Sequence, residues 1–536
     1  MFDVIIIGCG FSGVFAALKL PTNLNILLIE QGAEILPITS SSYNQCYKLH
    51  TGLHYAKDIE TAEICLRHAI EFAKEYPQFI AGNHDPWSPW RRGRHYFMST
   101  SSISREDAER ITTHLQRIYS DLPKEDQVFG DPEHFMKFID PIHYPHIEAS
   151  IPVFNKDEEI IQTSVLFGVE TGESQIDIDP LKAHLKEQIS KRENITFLPN
   201  TSVTNIAYHP TQFGYIVSSV NRDNHAINFE TVSIINCAWD NIEKLDRKIG
   251  FDILDENRVI RVKASTLVQL PQELQNMNTC IFSSGPFCSI TVLPGSKAIL
   301  TSEHSTNLAF FNAGLDSPPE EIQKLLDTMN LHHPAGLALA QQIRQECAAY
   351  LTNDLKNLLN DAPILELRFG FVKIIENNQQ YTSQSIYEDD SAIHARKNTG
   401  IEVRDLGYIS NSGMKMTYTL GNAVNIEPIL TEHLKIMTLA EKIKTESPLN
   451  QIHKDLFLTI YRNSLKEILT SNKMKENYEE CIKKISLELL THFGIKSQSV
   501  ELIPRFNFFK EENASLGSRK HKLDDASPVS SKTKKT

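Results

Sequence analysis

The sequence has no stretch of about 18 or more apolar residues, so no membrane-spanning helix is expected. It has no Cys-x-x-Cys pair. Its eight cysteines are scattered over 536 residues, the usage of reduced thiols in a cytosol rather than of a disulfide framework. Cys46, His50 and His54 recur at a spacing of four, but Gly52 interrupts that run and no further ligand cluster completes a shell, so no metal is expected. A basic segment before the apolar start is also missing, since Asp3 stands there. Glycines break the start, and no small-residue cleavage site follows, which excludes a secretory signal. A cytoplasmic protein is therefore expected. Positive charge is short as well. Lys and Arg total 54 against 67 Asp and Glu, a formal net charge of -13, and no nucleic-acid partner is expected of so acidic a chain. No internal repeat is found. From about Asn513 apolar periodicity stops and Ser, Lys and Asp take over, so residues 513–536 read as a disordered tail.

What is present begins at the N-terminus. Phe2 to Ile7 is a nearly continuous apolar run, the pattern of a parallel strand buried on both faces. Gly8-Cys9-Gly10-Phe11-Ser12-Gly13 then turns the chain into an apolar helix that Pro21 ends. Asn25 to Ile29 is a second buried strand, closed by Glu30, 17 residues after Gly13. This is a βαβ unit carrying a dinucleotide fingerprint in its proper context. Gly8 permits the tight turn, Gly10 lets backbone approach a pyrophosphate, and Gly13 lets the helix lie close to the strand. The free N–H groups and the dipole of the helix start favour the phosphate charge. Glu30 is suited to accept hydrogen bonds from ribose hydroxyls, and its charge would repel a 2′-phosphate. FAD or NAD is therefore favoured over NADP.

Further along, Thr61 to Tyr76 and Arg105 to Leu122 read as helices, and Gly82 to Phe97 as a loop rich in Pro, Trp and Arg. Pro180 to Arg192 is a helix with Pro in its first turn. Strands follow from Ile195 to Asn236 and again from Val259 to Leu300, and Ile364 to Ile375 returns to strand. Ile429 to Phe493 is mostly helical. The expected fold is α/β, with a discontinuous Rossmann-like FAD-binding domain, an antiparallel-sheet substrate domain and a C-terminal helical appendage. The FAD pieces are expected at 1–80, 165–245 and 365–430, the substrate pieces at 81–164 and 246–364, and the helical region at 431–512.

Three later segments carry a family resemblance. Ser40 to Tyr55, SSSYNQCYKLHTGLHY, resembles the small-residue run and His-x-Gly-x-x-Tyr element of the D-amino-acid oxidase-like superfamily of FAD-dependent oxidoreductases. Asp179-Pro180, then Asn200-Thr201-Ser202-Val203, then Ile235-Asn236-Cys237-Ala238-Trp239 recur in that order in the family. Leu406 to Ala423, LGYISNSGMKMTYTLGNA, is similar to the flavin element of FAD-dependent glycerol-3-phosphate dehydrogenases. The resemblance spans roughly residues 1–430 and chooses FAD, held non-covalently, as the cofactor. It implies that the loop at Ser41 wraps the pyrophosphate, that Val203 meets adenine through its backbone, and that Gly413, Met414, Lys415 and Thr417 reach the flavin. Two departures stand out. The Cys237-Ala238-Trp239 element has no glycine, and Arg368 to Lys373 replaces the family's Gly-Leu-Arg-Pro.

The resemblance implies oxidation of a small amine, amino acid or hydroxy acid by hydride transfer to the flavin, with the electron acceptor left open. Its alternative is an FAD-binding protein without turnover, in a regulatory or interaction role. His50 and His54 are candidate bases, because imidazole titrates near neutral pH. His50 is also a candidate covalent anchor. Lys415 is the candidate cation beside the flavin. Tyr55 and Arg91 are candidates to line the substrate pocket. Arg91, Arg92, Arg94 and His95 form a cluster whose paired N–H donors would suit an anionic substrate.

Overall fold

The computed structural model describes residues 1–82, 92–140, 144–210, 212–251, 257–283, 285, 287–328, 331, 333–376, 400–446 and 457–463. Two large sheets organise them. The first is built on Phe2–Ile7, which pairs in parallel with Ile26–Ile29 on one side and with the end of Ala226–Asn236 on the other. Ile195–Leu198 extends the parallel part beyond Ile26–Ile29, and Tyr408–Asn411 pairs in parallel with Ile234 to Asn236. The start of Ala226–Asn236 instead runs antiparallel to Tyr215–Asn221, which pairs with Thr201–Tyr208. The expected βαβ unit is thus present at the expected residues. Val4, Ile5, Ile6 and Ile26 to Ile29 are buried, as a strand covered on both faces requires. The helix Phe11–Lys19 covers one face and packs against the long helix Met416–Glu446, which also packs on Ile59–Glu75.

The second sheet has nine strands, in the order Asn307–Asn312, Asn257–Gln269, Lys297–Ser302, Cys288–Leu293, Cys280–Ser283, Gly93–Met98, Val165–Thr171 and Met136–Ile139, with Ile364–Glu376 paired to Asn257–Gln269. It is antiparallel except where Cys280–Ser283 runs parallel to Gly93–Met98. The helices Pro334–Ala348 and Asn353–Asp361 follow it, and the first of these packs on the sheet over a core that includes Ile290, Val292, Leu300, Ile343 and Leu367.

Several elements differ from the sequence reading. Gly93–Met98 is a strand inside the stretch read as a loop, because His95 to Met98 are buried between neighbouring strands. Val165–Thr171 and Ile364–Glu376 lie in the second sheet, although their residues were expected with the FAD pieces. The helix Met416–Glu446 runs through the expected boundary at 431. His433, Leu434, Ile436 and Met437 are buried in it, so this stretch is part of the packed body. The 513–536 tail lies outside the described residues.

Buried charges join the two sheets. Lys373, on the second sheet, donates to both oxygens of Glu243 at 2.8 Å, with both side chains fully buried. Arg258 reaches Glu402 at 2.8 Å, Arg404 reaches Asp246 at 3.1 Å, and Asp246 accepts from Asn236, Tyr408 and Ser410 of the first sheet. Buried charge is tolerated only when paired and hydrogen-bonded. Lys373, at the end of the segment that departs from the family pattern, is thus committed to Glu243.

Candidate functional site

A cavity of about 720 Å³ runs between the two sheets, within the range of roughly 300–1,000 Å³ of small-molecule and cofactor clefts. At one end stands the glycine turn. Gly8 has φ +95°, a left-handed conformation, and a Cβ there would come 2.7 Å from the Cys237 carbonyl oxygen. A Cβ at Gly13 would lie 1.9 Å from the Gly8 carbonyl oxygen, so only glycine lets the helix meet the strand here. A Cβ at Gly10 would meet only the Ser42 side chain, at 2.9 Å, on the cavity wall. The Ser42 hydroxyl accepts the Phe11 N–H at 3.0 Å and ties the following loop to the helix start. Ser41 lines the cavity beside it and accepts from the Phe371 N–H at 3.0 Å, which fastens this loop to the second sheet.

Glu30 lies at the end of its strand, as expected, and lines the same cavity. Its carboxylate accepts from the N–H groups of Cys9 and Gly32, each at 2.7 Å. A carboxylate has about four acceptor positions, so capacity remains for a ribose hydroxyl. Burial pushes the Glu30 carboxyl up from its usual range, against the pull of these backbone donors. Val203 lines the cavity from Thr201–Tyr208, at a register shift between Val203 and Asn205.

The element without glycine is explained by backbone geometry. Trp239 itself takes the left-handed conformation, with φ +50°. Such a residue persists only when its surroundings fix it. The Trp239 indole N–H donates to the Phe371 carbonyl at 3.0 Å, and Lys373 donates to the Trp239 carbonyl at 2.8 Å.

Toward the middle of the cavity the sequence candidates come together. The rings of His50 and His54 are 5.8 Å apart between centroids, and that of Tyr55 is 5.1 Å from His54. The Lys415 ammonium donates to the Tyr55 hydroxyl and lies 4.3 Å from the centre of its ring, a cation–π contact. Gly413, Met414, Lys415 and Thr417 all line the cavity. Gly413 has φ +51°, and a Cβ there would come 2.2 Å from the Ser12 hydroxyl, so glycine brings this loop onto the glycine turn. Burial pushes the His50 imidazole down to about 4, the Glu173 carboxylate opposing the shift.

Arg91 lies outside the described residues. Its neighbours Arg92 and Arg94 do not line this cavity. Both reach Glu170, at 3.4 and 3.2 Å, and Arg92 also donates to the His134 carbonyl at 2.9 Å. Arg92 and Arg94, expected to bind an anion there, are instead paired with Glu170 inside the second sheet. Among the described residues, Lys415, Lys244 and Lys248 line the cavity, and so, from another part of its wall, do Lys48, Arg261 and Lys263. The sequence reading passed over these last three. Arg261, Lys263 and Ser265 alternate along one strand with Val262 and Ala264, so the period-two pattern of a strand carries the signal. Glu303 pairs with Lys263 and lies 3.6 Å from Arg261. Burial lowers the Lys263 ammonium from its usual range, while Glu303 opposes that.

A parallel sheet with a glycine turn, facing a second sheet across one elongated cleft, defines a dinucleotide-binding protein with room for a second ligand. Residues 3–364 match the family model described as FAD dependent oxidoreductase, and the chain belongs to that family. Its cofactor is FAD, and the protein is an FAD-dependent oxidoreductase. Similar solved structures include glycine oxidase from Geobacillus kaustophilus, 12% identical, with a TM-score of 0.50, covering 80% of this chain and 94% of that one. L-alpha-glycerophosphate oxidase from Mycoplasma pneumoniae, a structure with FAD bound, is 15% identical, with a TM-score of 0.49 and coverage of 81% and 94%. L-proline dehydrogenase from P. horikoshii is 11% identical, with a TM-score of 0.47 and coverage of 80% and 92%. No curated protein sequence matches the chain. Among the described residues, no helix is long and apolar enough to cross a membrane.

The residues present fit FAD. The bare backbone of Gly10 on the cavity wall, where a Cβ would stand 2.9 Å from the Ser42 hydroxyl, is what the close approach of a pyrophosphate needs, and Glu30 lines the same cavity. That wall continues without a break to His50, Gly413 and Lys415.

Proposed function

We propose that the protein oxidises a small amino acid or hydroxy acid, with simple amines less favoured, by moving a hydride from the substrate carbon to the flavin. The observation that carries this reading is the single cavity that joins the glycine turn to Lys48, Arg261 and Lys263. Lys48, Arg261 and Lys263 stand together there, with Glu303 beside the last two, and such a group favours an anionic ligand. Gly8, Gly10, Gly13, Ser41, Ser42, Glu30 and Val203 would hold the nucleotide part, and Gly413, Met414, Lys415 and Thr417 the flavin part. Bound FAD supplies the two-electron acceptor. Lys415 and the N–H groups of the Gly413 turn supply positive potential on the wall where negative charge would build. Arg261 and Lys263 orient the acid group. His50, neutral near pH 7, takes the substrate's hydroxyl or ammonium proton at Nε2. Tyr55 and His54 close the pocket. In this reading the first sheet carries the cofactor and the second the substrate. A cytoplasmic setting fits the buried free thiols of Cys9, Cys65, Cys237, Cys280, Cys288 and Cys347.

The test is anaerobic mixing of the FAD-loaded protein with a panel of amino acids, hydroxy acids and their uncharged amine or alcohol counterparts. Loss of the flavin band near ~450 nm reports hydride transfer. Bleaching by acids, weakened in Arg261→Met, supports the reading. Bleaching by no member of the panel, or equally by the uncharged counterparts, overturns it.

A further inference from the structure

Behind His50 lies a buried chain of polar groups that the proposed reaction has not used. His50 Nδ1 is 2.7 Å from one oxygen of Glu173, although the ring is tilted off the hydrogen-bond direction, and His95 Nε2 is hydrogen-bonded to the other at 3.0 Å. His95 Nδ1 is in turn 3.2 Å from the Ser283 hydroxyl. Glu173 and His95 are each only 1% exposed, whereas His50 keeps 26% of its side chain open to the cavity.

Strand register puts these groups together. Lys48–Leu49 pairs antiparallel with Ser174–Gln175, Leu49 opposite Ser174. One step further places His50 opposite Glu173. The Glu173 backbone is fixed at both ends, its carbonyl accepting from the Gly93 N–H at 3.1 Å and its N–H donating to the Thr171 hydroxyl at 3.2 Å. A Cβ at Gly93 would come 3.2 Å from the Glu173 Cβ, so glycine leaves room for the acid.

We propose that Glu173 is the positioning residue of His50: from 2.7 Å, with a turn of the ring, it takes the Nδ1 proton as a hydrogen bond and leaves Nε2 as the nitrogen that faces substrate with a lone pair. His95 donates Nε2–H to the second oxygen and accepts from Ser283, so the carboxylate cannot rotate away. The arrangement follows from donor counting. A buried carboxylate accepts only, and each of the two imidazoles can give it one N–H donor. Burial opposes the Glu173 charge, yet His50 and His95 hold its carboxyl well below the usual carboxylate range. The groups that bear on the His50 charge are Lys48 on its own strand, His54 and Tyr55 in the following turn, Glu173 across the strand pair, and Lys415 from the loop over the cavity. Burial together with Lys415 and Lys48 outweighs Glu173, which keeps the ring neutral and able to accept a proton. The role of Nε2 as base rests on the function proposed above. The tautomer does not.

The experiment is nitrogen NMR of the FAD-loaded protein labelled in its histidine rings, with His50→Gln identifying the His50 signals. Between about pH 5.5 and 8 His50 is expected as the neutral Nδ1–H form. In Glu173→Gln the Nε2–H form is expected to gain population. Once a substrate is known, kcat should fall about 10–100-fold with KM little changed, the usual effect of losing a group that orients a functional histidine. A wild-type His50 protonated at Nε2 alone would overturn the proposal, and so would signals unchanged by Glu173→Gln. If Glu173→Gln does not fold, the wild-type spectrum decides by itself. An Nδ1–H His50 in a protein that bleaches with no substrate upholds the positioning role and counts against the proposed reaction only.

Discussion

The glycine turn allows a prediction that separates fold from ligand. Gly13→Ala and Gly10→Ala add the same methyl group three residues apart. At Gly13 the new carbon would stand 1.9 Å from the Gly8 carbonyl oxygen and 3.4 Å from Ile6 Cγ2. A backbone carbonyl in the buried strand-to-helix turn must then move by about 1 Å. Such overpacking costs about 3 kcal/mol or more. Alanine returns about 1 kcal/mol of helix propensity in Phe11–Lys19, which leaves a net loss near 2 kcal/mol or above. At Gly10 the backbone is extended, with φ -67°, and the methyl group meets only the movable Ser42 hydroxyl at 2.9 Å. Disturbing that hydroxyl and its bond to the Phe11 N–H costs about 1 kcal/mol. The methyl group would, however, stand where the pyrophosphate must approach the backbone. Thermal melts of the two apoproteins, paired with FAD titrations, read both quantities. Gly13→Ala should melt well below wild type without FAD. Gly10→Ala should melt near wild type yet bind FAD at least about tenfold more weakly, which is 1.4 kcal/mol. A Gly13→Ala apoprotein as stable as wild type would refute the packing argument. A Gly10→Ala protein that binds FAD as wild type does would refute the placement of the pyrophosphate.

Glu30→Ala removes two charge-assisted bonds to Cys9 and Gly32, so it should lower apoprotein stability by about 2 kcal/mol or more and weaken FAD binding in the same titration. Lys373→Met strands the buried Glu243 carboxylate beside Arg258 and should cost about 3–5 kcal/mol in urea unfolding, part of it recovered in Lys373→Met/Glu243→Gln. His433 is held neutral, its ring pushed down to about 3 by burial, with Nδ1 accepting the Gly407 N–H at 3.1 Å. The unfolded chain binds a proton near pH 6.5 that the native ring refuses, so this contribution is complete above that pH and fades as pH falls toward 3. Between pH 7 and 5 it should remove about 2 kcal/mol, a slope that His433→Gln should flatten in denaturation at the two pH values.

The cofactor half was legible because its signals are local. Gly8, Gly10, Gly13 and Glu30 lie within one βαβ unit, where a turn, a strand end and a helix start each demand a residue type. Gly413 and Lys415 were legible only through resemblance, since their place on the wall depends on a strand far away in sequence. The second sheet hid its chemistry. Lys48, Arg261, Lys263 and Glu173 read as ordinary polar positions of strands, and only the pairing of distant strands turns them toward one cavity. The arginines at 91, 92 and 94 drew attention by clustering, yet Arg92 and Arg94 meet Glu170 of a neighbouring strand that composition could not reveal.

The two departures from the family pattern are connected. A glycine in the Cys237-Ala238-Trp239 element would relieve a left-handed backbone without further support. Here Trp239 takes that conformation and is held from the second sheet, through the Phe371 carbonyl and the Lys373 ammonium. Lys373 can give that bond only because Glu243 neutralises it, and Glu243 also faces Arg258, whose guanidinium reaches Glu402 beside the first sheet. Trp239 and Lys373, one in each departing segment, are therefore joined in one buried network that ties the second sheet to the floor of the cleft. On that account Lys373→Met should act beyond stability. With the Trp239 carbonyl released, the cleft floor loses a fixed point, and FAD affinity should fall although Lys373 does not itself line the cavity. A Lys373→Met protein that folds and binds FAD with wild-type affinity would separate the two departures and defeat the argument.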